Sequence, residues 1–176
     1  GVGNGKGGDA EVSGKANLAY KGFTDLSGPG GFGTLLLDPY NLTISNDTAS
    51  NSSGTSATGD DSVINVTTLE NALSSANVTI TTGSAGSVGA QAGDITVVND
   101  VTWTSGSTLE LSAYHDINVN ANLSGGTGSQ IVLRSDNSGT GTGAVTFNSG
   151  IKATASGGVS VYYNPDSYTS ATDYSG

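Results

Sequence analysis

The sequence predicts an all-β chain wound as a parallel β-helix, with three short strands per coil and about five coils. Three observations carry this expectation. A pattern of three alternating segments occurs three times between Asp94 and Tyr162: DITV…VTW…TLEL, DINV…NLS…QIVL and AVTF…IKA…VSV. Its apolar residues keep constant intervals. Ile95, Val101 and Leu109 correspond to Ile117, Leu123 and Ile131, and then to Val145, Ile151 and Val159. The third observation is composition: 28 glycines and only 34% apolar residues leave a slim core, and the rest is largely Ser, Thr, Asn and Asp. A disordered chain of that composition has no reason to repeat its apolar residues at matched offsets.

Taken in order, residues 1–9 read as a flexible lead-in. AEVSG and ANLAY follow as short alternating pieces, with Val12 and Leu18 on one side. Pro29 among glycines marks a turn in residues 22–33. TLLLD then supplies a strand with Leu35 and Leu37 inward. These pieces make a less regular first coil, as terminal units of repeat arrays often are. Asn41 to Ile44 opens the next coil, which a polar run interrupts, giving a protruding loop near 45–61. Val63 to Val66 resumes strand character. Leu69, Ala72 and Leu73 then break period 2 at i, i+3 and i+4, so a short helix is expected near 68–75, with Thr67 or Thr68 as its N-cap. Asn77 to Thr82 returns to a strand, residues 83–93 lead into the three clear copies, and 164–176 form an irregular C-terminal segment. The whole is one domain.

Superposing the copies defines five inward ladders: Ile95/Ile117/Val145, Val97/Val119/Phe147, Val101/Leu123/Ile151, Leu109/Ile131/Val159 and Leu111/Leu133/Val161. Residues two apart share a face of a strand, so Thr96, Asn118 and Thr146 should point outward. Gly93, Gly106, Gly125 and Gly158 fall where the chain must turn. Trp103 shares the parity of Val101, and its counterpart one copy later is Gly125, which suggests a large side chain packed inside over a glycine.

The net charge of −10, with five Lys plus Arg, argues against a nucleic-acid groove or an anionic membrane surface as partner. No 18-residue apolar run is present, so no membrane insertion by a helix is expected. With no cysteine there is neither a disulfide framework nor thiolate chemistry. The chain starts at Gly1 without methionine or signal peptide and reads as a matured or excised piece of a longer protein.

The segments GTLLLDPYNLTIS (33–45), NVTTLENALSSANVTITTG (65–83) and AGDITVVNDVTWTSGSTLELSAYHDINVNANLSG (92–125), with the closing VYYNPDSYTSATDYSG (161–176), resemble the shaft of filamentous-haemagglutinin-type exoproteins. That family is secreted by the two-partner route and includes the high-molecular-weight adhesins. The resemblance covers residues 33–176. It implies a right-handed β-helix, export to the outer surface of a Gram-negative bacterium, and work in adhesion or biofilm attachment. The asparagine-proline signature of the family's secretion domain is not found here, so the segment resembles downstream shaft.

Several residues invite a site. Asp60, Asp61, Asp94, Asp116 and Asp136 invite a reading as calcium ligands or as the paired carboxyls of a glycosidase, and of these Asp94 and Asp116 occupy equivalent places on successive coils. They are calcium candidates, although turn capping by accepted backbone N–H bonds explains them equally well and no EF-hand or glycine-rich calcium repeat is present. No metal site is assigned on sequence, and no cofactor is expected. His115, the only histidine, fits a hydrogen-bonding corner residue. A glycosidase needs two carboxyls in a cleft, one with a raised pKa. The scarcity of basic residues, with Arg134 and Lys152 isolated, argues against any enzyme. Tyr162, Tyr163, Tyr168 and Tyr174 form a candidate stacking surface for glycans or for an adjoining coil. Asn-x-Ser/Thr triplets begin at Asn41, Asn46, Asn51, Asn65, Asn77 and Asn122; Asn46 and Asn51, on the expected loop, are the accessible glycosylation candidates.

The expected function is a structural and adhesive shaft, secreted to the bacterial cell surface and monomeric. Its partners would be host-surface or matrix glycans and proteins, together with adjacent coils of the parent exoprotein. The alternative is the same shaft in a contact-dependent growth-inhibition toxin-delivery protein. A polysaccharide-active enzyme and an ice-binding solenoid rank below these. Ice binding needs a regular flat rank of threonine, and the outward series Glu110, Val132, Ser160 is not one.

Overall fold

The computed structural model describes residues 4–13, 24–38, 41–48, 52–53, 56–57, 62–83 and 91–162. They form a parallel β-solenoid. One face is a six-stranded sheet of β1 (Ala10–Ser13), β2 (Thr34–Asp38), β7 (Asn77–Thr81), β10 (Thr108–Ser112), β13 (Gln130–Arg134) and β16 (Val159–Tyr162), in that order. The second face has five strands: β14 (Val145–Phe147), β11 (Ile117–Val119), β8 (Ile95–Val97), β3 (Leu42–Ser45) and β6 (Ser62–Asn65). The third is β15 (Ala153–Thr154), β12 (Leu123–Gly125) and β9 (Val101–Trp103). Every pairing within these three sheets is parallel. The connections therefore cross over to other faces rather than turning back as hairpins.

The core is a set of stacked apolar residues. Ile117 lies between Ile95 and Val145, and Ile131 between Leu109 and Val159. Leu133 lies between Leu111 and Val161, and Val119 between Val97 and Phe147. β-Branched and leucine side chains fill this narrow interior at period 2, and Ile95, Ile117, Leu109 and Ile131 have no exposed surface. Trp103 faces Gly125 in register and is 4% exposed. A Cβ at Gly125 would lie 2.7 Å from Trp103 Cζ2, so the indole occupies the space that only glycine leaves free.

Three expectations need correction. Leu123 pairs with Ala153 and not with Ile151. A turn closed by Ile151 N donating to Asn148 O, with Gly150 at φ 82, takes up two extra residues before the strand begins. Ile151 packs against the core from that turn. Phe147 holds its register with Val119 but is 39% exposed, because β14 is the outermost strand of its sheet among the described residues. The helix begins earlier than expected. It runs Val66–Leu73 (α1), and its N-cap is Asn65, whose side chain accepts from Thr67 N. Asn65 ends β6 in extended geometry, so it is placed as the half-in residue that capping requires.

The segment around α1 departs most from a regular coil. β3 and β6 lie side by side in one sheet, Ile44 opposite Ile64, instead of continuing a single turn of chain. Between them, the described part of the expected loop contains an antiparallel pair, β4 (Ser52–Ser53) and β5 (Ser56–Ala57). The helix then takes the place of a third-face strand beneath β9. Val66, Leu69 and Leu73 bury its inner stripe, and Glu70 Oε1 accepts from Thr102 N at 2.8 Å, giving β9 an acceptor where a strand neighbour would otherwise provide one.

From residue 4 onward the lead-in lies against the Gly28–Gly33 stretch: Gly7 N donates to Gly31 O and Gly30 N to Gly5 O, each at 3.0 Å. A Cβ on Gly33 would fall 2.0 Å from Gly8 O, so glycine is needed for this backbone contact. Leu18 and residues 163–176 lie outside the described residues.

Candidate functional site

Asp94 and Asp116 belong to a corner device that recurs along the solenoid. Asn41 Oδ1 accepts from Asp94 N at 2.8 Å, Asp94 Oδ1 from Asp116 N at 3.0 Å, and Asp116 Oδ1 from Ala144 N at 2.8 Å. Leu42 N, Ile95 N and Ile117 N complete the same corners by donating to Asp94 O, Asp116 O and Ala144 O. A second corner repeats the arrangement: Asp100 Oδ1 accepts from Asn122 N and Asn122 Oδ1 from Lys152 N. Backbone donors leaving a strand for a turn would lack partners, and a short Asx side chain on the preceding coil supplies them. The capping account of the two aspartates therefore has direct structural expression.

His115 adds chemistry at that corner. Its Nδ1 lies 2.9 Å from Asp94 Oδ1 and 3.3 Å from Asp116 Oδ2. One donor atom from each of the three lies within 4.8 Å of the other two. His115, Asp94 and Asp116 side chains are 36%, 28% and 32% exposed. The backbone beneath them is held by His115 N donating to Gly93 O and Asp136 N donating to His115 O. Gly93, at φ 87, has Tyr114 Cβ 2.7 Å from where its own Cβ would sit. The sequence signal for this grouping was the 22-residue step that brings Asp94 beside Asp116. That His115 reaches back to Asp94 across coils depends on side-chain direction at a turn, which strand alternation does not specify.

Asp136, a candidate cation ligand or paired carboxylate by residue type, instead organises the corner that runs through Thr140 and Gly141. It is fully buried and has a left-handed φ of 46. Burial pushes its carboxyl upward, but donation from Thr140 N and Oγ1, Gly141 N and Thr142 N outweighs this and holds it below the ordinary carboxylate range. Asn tolerates the left-handed backbone, so Asp136→Asn isolates the charge. At pH 7 the variant is expected to lose about 1–2 kcal/mol of stability in urea unfolding. A depressed folded pKa makes the carboxylate's contribution complete above the unfolded value of about 3.9 and removes it as pH falls through the folded value. The gap between wild type and variant should therefore close on acidification below that point.

Tyr162, a candidate glycan contact, is half-buried, with the Arg134 guanidinium 4.5 Å from its ring centroid. One face of the ring is thus already stacked. Tyr163, Tyr168 and Tyr174 lie outside the described residues, as do Asn51, Asp60 and Asp61. Asn46 is exposed, its backbone fixed by Asn99 Oδ1 and its carbonyl bonded by Asn65 Nδ2. Asn41, Asn65, Asn77 and Asn122 instead use their amides to bind backbone groups of the fold. The outward rank of the five-stranded sheet includes Thr43, Thr96, Asn118 and Thr146, in register, with Thr146 Oγ1 donating to Asn118 Oδ1 at 2.9 Å.

No family model, curated protein or solved structure matches the chain. No helix among the described residues is long and apolar enough to cross a membrane.

Proposed function

We propose that this protein is a structural and adhesive shaft segment of a secreted bacterial surface exoprotein of filamentous-haemagglutinin type. The observation that carries the reading is the parallel register of six strands from β1 to β16 along one face, which makes the molecule a rod built by addition of like coils. Its outer ranks offer hydroxyl and amide groups at strand spacing, suited to hydrogen bonding with extended polysaccharides or matrix proteins. A net charge of −10 keeps such rods apart from one another and from anionic lipid. On this reading the carboxylates serve the corners, and the segment supports attachment rather than turnover of a substrate.

The test uses the 176-residue protein on a glycan array and on beads presented to host cells and to biofilm matrix. Saturable attachment that weakens on Tyr162→Ala or on Thr96→Ala/Asn118→Ala, with the circular dichroism spectrum unchanged, supports adhesion by this segment. Beads that attach no better than albumin-coated controls overturn the adhesive part of the reading.

A further inference from the structure

We propose that Asp94, His115 and Asp116 form a binding site for one divalent first-row transition ion of the zinc type. The first ground is the donor set. Two carboxylates and an imidazole converge from successive coils, and imidazole nitrogen is a ligand of borderline-soft ions such as zinc, nickel and copper. Calcium takes six to eight oxygens, and this corner supplies a nitrogen as its central donor.

The second ground is spacing. Two ligands bound at about 2.0–2.1 Å to one ion stand about 2.9 Å apart at a right angle and about 3.3 Å apart at a tetrahedral angle. The distances from His115 Nδ1 to the two carboxylate oxygens are 2.9 and 3.3 Å. Two of the three edges of a facial ligand set are therefore already in place. The carboxylate–carboxylate edge is the one that must shorten. Both carboxylates are largely free of neighbouring bulk on the outer side, at 28% and 32% exposure, so water can complete the coordination sphere.

The third ground is support. Asp94 Oδ1 and Asp116 Oδ1 are oriented by Asp116 N and Ala144 N, and His115 by backbone bonds on both sides. Held groups lose little freedom on binding an ion. On binding, His115 Nδ1 presents its lone pair to the metal. A neutral ring carries its proton on Nε2, and an imidazolium releases one proton to solvent.

The experiment is equilibrium dialysis of the whole 176-residue protein against zinc, with cobalt absorption as a second readout of coordination. One zinc per chain is expected, with a visible cobalt spectrum of nitrogen–oxygen coordination, and calcium in excess should not displace it. His115→Gln and Asp94→Asn should each weaken uptake at least tenfold, by about the amount that disturbing a metal site commonly costs or more. Asp94→Asn keeps an oxygen for Asp116 N, so loss of metal with an unchanged circular dichroism spectrum separates ligation from folding. Failure of the wild type to take up stoichiometric zinc overturns the proposal, leaving His115 as a hydrogen-bond partner of Asp94 only. So does uptake indifferent to both substitutions, or displacement of zinc by calcium.

Discussion

Trp103→Ala is expected to lower the unfolding free energy by about 3–5 kcal/mol, the usual cost of removing a large aromatic side chain from a packed interior. Trp103 is 4% exposed, and its Nε1 donates to Ser107 O at 3.2 Å. Ser107 Oγ in turn donates to Leu73 O at the end of α1, as does Ser105 Oγ. Truncation therefore opens a cavity above Gly125 and also removes a donor from the loop that ties the helix to the third face. Urea unfolding followed by circular dichroism measures the loss. The mirror experiment is Gly125→Ala, whose new methyl must meet Trp103 Cζ2 at 2.7 Å and Ser129 Oγ at 2.2 Å. It is expected to destabilise by overpacking, by about 1–3 kcal/mol. A Trp103→Ala protein within about 1 kcal/mol of wild type would mean the indole is not packed as described.

Ile117→Ala should cost about 2–5 kcal/mol, and Val145→Ala clearly less. Both belong to one ladder, with Ile95 as the third member. Ile117 has a neighbour on each side and no exposed surface, whereas Val145 lies on the outermost strand of its sheet among the described residues and is only half-buried. Ile117 loses one carbon more than Val145 on truncation, and each lost carbon also costs more where both flanks are filled. Equal costs at the two positions would contradict the stacking order. Loss of the difference on mixing with a second solenoid fragment would show that the outer strand had gained a neighbour.

Much of this fold was legible in the sequence because a parallel solenoid repeats one local rule. Matched intervals within the copies that hold Ile95, Ile117 and Val145 gave both the register and the inward face, and the 22-residue step set Trp103 against Gly125 while parity turned it inward. Errors arose where the local rule and the global stack separate. Ile151 matches the apolar interval, yet the turn at Gly150 delays the strand and brings Ala153 opposite Leu123. Phe147 has an inward pattern, but exposure depends on whether another strand lies beyond it, which no interval encodes. The helix was visible from Leu69, Ala72 and Leu73, while its cap was set by where β6 stops. At the candidate site, the step between copies brought Asp94 to Asp116. Asp136 stood out only as one carboxylate among several, because its burial and left-handed backbone arise from the corner as a whole.

The corner bonds at Asn41, Asp94, Asp116, Asp100 and Asn122 all run one way, from a side-chain acceptor to the backbone donor of the chain segment that follows. A finished turn of the rod thus carries waiting oxygens at the positions where the next turn must place its nitrogens. The main chain answers in the opposite sense, with Leu42 N, Ile95 N and Ile117 N donating to carbonyls of the following turn, so each corner is clasped from both sides. The alanine at position 144 carries no such oxygen, so at that corner only the main-chain half of the clasp is available to a further turn.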